Sequence, residues 1–166
     1  MLPSSFVAFD IETTGFAPPC KIIEIGAVKV VDRFITEKYQ QLVDPEVMIP
    51  WKITSLTGIT DNMVTGAPKI NTALQGFIDF IGGLPIAAHN AKFDMSFIQY
   101  YSNECGYQIK NEVIDTLKLS RKYIPGLPSY KLSIVARHLS ADRPDAHRAL
   151  SDAMMVAGIM LSLSYV

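Results

Sequence analysis

The stretch Phe6-Val7-Ala8-Phe9-Asp10-Ile11-Glu12 reads as a buried β-strand that closes on two acids. Side chains alternate across a strand, so Asp10 and Glu12 share one face. Two carboxylates side by side on a core strand repel each other and lose hydration, and a divalent cation removes both penalties. A lone acid at such a place is most simply a surface charge. Two further segments argue for more, His89-Asn90-Ala91-Lys92-Phe93-Asp94 and His147-Arg148-Ala149-Leu150-Ser151-Asp152, because each sets an acid among apolar neighbours.

Outward from that strand, Lys21–Val31 and Phe34–Val43 are two more strand-like runs, and the tight Val31-Asp32-Arg33 connection predicts an antiparallel hairpin. A loop containing Pro45 and Pro50 leads to Leu56-Thr57-Gly58-Ile59-Thr60-Asp61, where Thr60 or Asp61 would cap a short helix ending near Gly66. Apolar residues at 70, 74, 77, 78 and 81 have helical spacing, and Gly82-Gly83 stops that helix. Pro85–His89 reads as a short buried strand, Asn90 as the N-cap of a helix over about Ala91–Glu104, and Gly106 as its stop. Glu112–Ile114 is a strand, Asp115 caps a helix toward Ile124, and helices follow over Lys131–Leu139 and about Arg148–Leu163. This order predicts one α/β domain over residues 1–166 with a mixed sheet.

A chain of 166 residues with 49% hydrophobic and 19% charged residues can bury a substantial core and is not disordered. No apolar run approaches the roughly 20 residues of a membrane span. The N-terminus has no signal-peptide pattern, which predicts a cytoplasmic protein without a membrane partner. Cys20 and Cys105 form no CxxC pair and read as reduced structural thiols. The net charge of −1 is unevenly spread: residues 118–148 carry seven Lys/Arg against Asp142 and Asp145, while the remainder is acidic. A basic flank beside an acidic centre suits a polyanion processed at its end, and solvated helix faces explain the charges equally well.

The candidate metal-binding set is Asp10, Glu12, Asp94 and Asp152. Four carboxylates without a Cys or a His pair form a hard oxygen site, suited to two Mg²⁺ or Mn²⁺ ions and to phosphodiester hydrolysis. His147 lies five residues before Asp152, about 140° away on a continuous helix, so the two converge only if His147 precedes the helix. The run Pro144-Asp145-Ala146 supplies a loop ending there, and a loop-borne histidine beside the acids can take a proton from water. His89 reads as a hydrogen-bonded structural residue and His138 as a helix residue without an acidic companion. Asp61 and Asp115 read as caps, and Glu24, in an apolar strand beside the first, is ambiguous, an outward-facing residue being its simplest reading.

The patterns D-x-E-T-T-G, H-N-A-x-F-D and H-x-x-x-x-D, in this order, resemble those of the DnaQ-like (DEDDh) 3′–5′ exonucleases. The likeness is greatest to the proofreading exonuclease domain of PolC-type DNA polymerase III and its epsilon-subunit relatives. It extends over Leu56–Asp61, Val113–Leu117 and Ala146–Leu150, and so over nearly the whole chain. Arg148 stands where the sister DEDDy group needs tyrosine.

The resemblance implies an RNase H-like fold, a mixed five-stranded sheet flanked by helices. It implies that Asp10, Glu12 and Asp152 hold the metals, that Asp94 completes the second site, and that His147 is the general base. The backbone of Thr13, Thr14, Gly15 and Phe16 would hold the 3′-terminal nucleotide. Phe16, Leu56, Thr57 and Phe93 would line a base pocket, with Asn90 a further substrate contact. Phe16 departs from the commoner leucine or methionine, and Thr57 stands where some relatives carry histidine.

The implied activity is metal-dependent hydrolysis of DNA to nucleoside monophosphates from single-stranded or frayed 3′ ends. The implied role is proofreading or repair beside a DNA polymerase III catalytic subunit or within a larger polypeptide. Two competing readings are a 3′–5′ exoribonuclease and a noncatalytic polymerase-docking module. The second would not require all of Asp10, Glu12, Asp94, His147 and Asp152.

Overall fold

The computed structural model describes residues 2–144 and 147–164. Strands β1 (Phe6–Thr13), β2 (Ile22–Val31) and β3 (Phe34–Leu42) form an antiparallel meander. Asp32 and Arg33 both take positive φ at the β2–β3 turn, matching the right-handed twist of a two-residue hairpin. Helices α1 (Trp51–Thr57), α2 (Asp61–Val64) and α3 (Ile70–Ile81) follow. Then come β4 (Ile86–Ala88), α4 (Lys92–Cys105), β5 (Val113–Asp115), α5 (Thr116–Tyr123), α6 (Leu132–His138) and α7 (Ala149–Leu163). The sheet order is β3-β2-β1-β4-β5, with β4 parallel to both β1 and β5. This is the expected α/β architecture with a mixed five-stranded sheet.

Parity along β1 assigns the faces. Val7, Phe9 and Ile11 enter one core with Leu74 and Phe77 of α3 and Phe97 and Ile98 of α4. Phe6 and Ala8 enter the other with Ala153, Val156 and Met160 of α7 and with Val28 and Val30 of β2. Asp10 and Glu12 continue the α7-facing row, so the two acids stand where the strand would otherwise feed that core. On β2, Glu24 and Gly26 continue the row of Val28 and Val30, with Gly26 paired to Asp10 and Glu24 to Glu12.

Four expectations need correction. The segment after Pro50 is helix α1, which lacks a side-chain N-cap and ends on Gly58 at φ 73°; seven residues are too few to display a periodicity. Asn90 does not cap α4: it is left-handed at φ 63°, and the cap position is Ala91. Thr60 is the cap of α2, accepting from the Met63 N–H, while Asp61 Oδ1 accepts from Ile49 N–H at 2.8 Å and ties the preceding loop down. Glu24 is fully buried rather than outward-facing. Asp115 does cap α5, accepting from Leu117 N–H. Asp145 and Ala146, read as loop, lie outside the described residues.

Candidate active site

Asp10 and Glu12 end the α7-facing row of β1, and Asp152 comes from the first turn of α7, which lies across β1 and β2. One carboxylate oxygen from each of the three falls within 4.8 Å of the others. Asp94 enters from the first turn of α4, directly after β4, and is only 2% exposed. Its charge bears on Asp10 more strongly than that of any other acid. The four acids converge from three elements, β1, α4 and α7, with β1 in the centre of the sheet and both helices contributing their first turns.

Their protonation reports the crowding. Burial, then the charges of Asp94, Glu12 and Asp152, hold Asp10 well above the usual carboxylate range. Burial, then Asp152, Glu24 and Asp94, pushes Glu12 up to about 8. Burial raises Asp94 to about 7 despite backbone hydrogen bonds from its own amide and from Ile11. Asp152 is also raised by burial, against the hydrogen bond from the His147 amide. Four crowded carboxylates, Asp94 buried and the others half-buried, resist ionisation, and a positive charge among them would relieve the repulsion. Asp94 Oδ1 is moreover buried without a hydrogen-bond partner among the described residues, so a lone pair is left for a ligand. An all-oxygen donor set with an orphaned carboxylate oxygen fits a hard divalent cation.

His147 precedes α7, as convergence with Asp152 requires. It is exposed, its backbone is left-handed at φ 69°, and its N–H donates to Asp152 Oδ1 at 3.2 Å. The next residue belongs to a network that no motif in the sequence announces. Glu24 Oε1 accepts from Arg148 Nη2 at 2.7 Å and from Gln40 Nε2 at 2.8 Å. Its Oε2 accepts from Arg148 Nε at 3.1 Å and from Ala149 N–H at 3.0 Å. Burial alone would raise Glu24, but these bonds outweigh it and hold the carboxylate below its ordinary value. An acid inside the apolar run Ile22-Ile23-Glu24-Ile25 was the available signal, and its partner, 124 residues away, was not readable. Beside Arg148 opens a groove of about 400 Å³ lined by Lys38, Gln40, Arg143 and Ser151.

The expected end-binding residues fall on the turn after β1, the end of α1 and the start of α4. Thr13 Oγ1 donates to Gly15 O at 2.7 Å, and Thr14 Oγ1 accepts from Lys21 N–H at 2.8 Å, which fixes the turn that leaves Phe16 91% exposed. Leu56 is 54% exposed at the end of α1. Thr57 is buried, donating to Ile53 O and accepting from Ile59 N–H, so its hydroxyl closes the helix end. Phe93 is half-buried against Phe97, with ring centroids 5.2 Å apart. Asn90 is exposed, with its N–H donating to Asp115 Oδ1. His89 is structural, as read: its ring nitrogens meet Thr116 Oγ1 at 2.9 Å and Tyr130 O at 2.7 Å.

Compared with known proteins, residues 7–160 match the model of the RNase_T family, described as exonuclease. The chain belongs to this exonuclease family. It is 47% identical over 156 residues to a PolC-type DNA polymerase III of Clostridium perfringens (strain 13 / Type A), covering 93% of this chain and 11% of that one. It is 38% identical over 165 residues to DNA polymerase III subunit epsilon of Aquifex aeolicus (strain VF5), covering 98% of this chain and 82% of that one. The chain thus spans about a tenth of the length of the PolC-type relatives.

Among solved structures, Exonuclease X in complex with 5′ overhanging duplex DNA superposes with a TM-score of 0.78 at 27% identity, covering 96% of this chain and 90% of that one. The nuclease domain of 3′hExo, a DEDDh family member bound to rAMP, superposes with a TM-score of 0.82 at 22% identity, covering 98% and 92%, and shows the same fold. The exonuclease therefore has the RNase H-like architecture that its motifs imply. Members of the DEDDh group depend on divalent metal, and Asp10, Glu12 and Asp152 of this chain form an acidic cluster that could hold such an ion. No helix among the described residues is long and apolar enough to cross a membrane.

Proposed function

We propose that the exonuclease removes nucleoside monophosphates from DNA 3′ ends with two Mg²⁺ or Mn²⁺ ions, as a proofreading or repair activity. The observation that carries this reading is the convergence of Asp10, Glu12 and Asp152 with the buried, half-unpartnered Asp94. Asp10, Glu12, Asp94 and Asp152 would hold the ions, which when bound neutralise the carboxylates and polarise the scissile phosphate. His147, exposed at the mouth of the cluster, accepts a proton from the attacking water. The water oxygen bonds to phosphorus as the bond to the 3′-oxygen breaks, and that oxygen leaves with a proton from solvent. The turn Thr13–Phe16 holds the terminal nucleotide. Phe16 and Leu56 offer the exposed apolar surface on which end bases stack, with Thr57 fixing Leu56 and with Phe93 and Asn90 beside them.

The identity to DNA polymerase III chains supports DNA as substrate, a place beside or within a polymerase polypeptide, and a cytoplasmic setting. Residues 1–166 serve as one exonuclease domain in either arrangement.

The test is degradation of 3′- and 5′-labelled DNA and RNA strands in Mg²⁺, Mn²⁺ or EDTA. The expected result is stepwise loss from the 3′ end, faster on DNA, abolished by EDTA and by Asp10→Ala or Asp152→Ala in proteins that remain folded. Activity in EDTA, mononucleotides from a 5′ label, or RNA degraded faster than DNA would overturn the corresponding part.

A further inference from the structure

Glu24 lies outside the acid set, yet its contacts tie β2 to the segment that carries both His147 and Asp152. It is fully buried and stands opposite Glu12 across the β1–β2 ladder. Three of its four accepted hydrogen bonds come from Arg148 and Ala149, the two residues that follow His147 on the way to Asp152. Two residues along β2, on the same face, a Cβ built on Gly26 would lie 2.2 Å from the Ala149 carbonyl carbon and from the Leu150 nitrogen. The first turn of α7 therefore sits directly on the β2 backbone, and the Glu24 carboxylate pins it there. On the other side of Arg148, His147 adopts φ 69°. A left-handed conformation at a residue other than glycine persists only where its surroundings over-determine it.

We propose that Glu24 and Arg148 are a positioning pair for catalysis, holding the His147 turn against the start of α7 so that His147 faces the β1 acids. The two-pronged guanidinium–carboxylate contact fixes orientation as well as distance, which a single lysine contact does not. Gln40, bonded to the same carboxylate, fixes Glu24 from the β3 side. The inference rests on the reading of His147 as the general base.

The test is a double-mutant cycle on the whole chain, read as single-turnover rate and KM on a labelled single strand, with DNA binding in Ca²⁺ as the control. Glu24→Gln keeps the shape and loses the charged fork. It should lower the rate about 10–100-fold, the scale of an ångström-level misplacement, with KM and Ca²⁺-supported binding within about threefold. In a His147→Ala background the same change should cost no more than about twofold, because residues acting as a unit are not additive. Arg148→Met and Arg148→Lys pass through the same cycle from the half-exposed side of the contact, and lysine should rescue only part of the loss. They also decide the matter if Glu24→Gln does not fold. Equal losses in both backgrounds, or rates within threefold of wild type, would overturn the positioning role. Near-normal turnover in His147→Ala alone would instead overturn the base assignment, and the pair would fall with it.

Discussion

His147 and Asp94 are the two residues whose substitution separates chemistry from stability. His147→Ala leaves the carboxylates and the β1 turn in place, so Ca²⁺-supported DNA binding should persist while the rate falls by about 10²–10⁴, the worth of a positioned base. Asp94 behaves differently because its raised protonation, about 7, records a buried charge held against its neighbours. Asp94→Asn removes that charge. In EDTA at pH 8 its melting temperature should exceed that of wild type, by about 2–4 °C for each kcal/mol relieved in a domain of this size, while metal affinity and turnover collapse. An unchanged or lower melting temperature would mean that the carboxylate is not under strain in the metal-free protein. Leu56→Ala should raise KM more than it lowers the rate, because on the proposed function this exposed side chain at the end of α1 stacks on bases and lies apart from the phosphate chemistry.

Among the elements, β2 and α7 decide whether the acids meet. Gly26→Ala would force α7 off the sheet, since no side chain separates the Ala149–Leu150 backbone from β2. Overpacking of this kind costs about 1–3 kcal/mol, and the displaced first turn takes Asp152 with it. Denaturation should show a modest stability loss beside a far larger loss of Mn²⁺ affinity; full affinity at reduced stability would place the acids independently of that contact. Most of this architecture was legible in the sequence. The apolar run Phe6–Phe9 located β1, strand geometry put both acids on one face, and the 70, 74, 77, 78, 81 spacing located α3. Helix α1 was not legible, because seven residues without a capping side chain give neither period nor start signal. Nor was the burial of Glu24, whose favourable protonation state comes from Arg148, Gln40 and the Ala149 amide, all brought to it by tertiary packing. The same applies to Asn90: its left-handed backbone is stabilised by Asp115, from a different strand.

Across the whole molecule, the acid cluster makes the metal-free fold sensitive to pH in a direction opposite to that of an ordinary carboxylate protein. Glu12 and Asp94 bind protons more tightly in the folded state than in the unfolded one, at about 8 and about 7. Folding therefore gains from their protonation below about pH 4, and the gain is lost as pH rises through those folded values. Thermal melts in EDTA should fall from pH 5 to pH 8.5, and saturating Mg²⁺ should flatten the decline because it binds only the folded state. A profile that is flat or rises in EDTA would contradict the repulsion described for the cluster. The arrangement has a further consequence for the protein as it is made. Asp10 and Glu12 belong to β1, whereas His147 and Asp152 arrive much later in the chain with α7, which must come back to lie across that strand. A nascent chain therefore holds its acids unassembled until α7 has been synthesised. Cutting ability appears only at the moment of closure, which keeps half-made copies from damaging nucleic acid and makes turnover a direct report of completed folding.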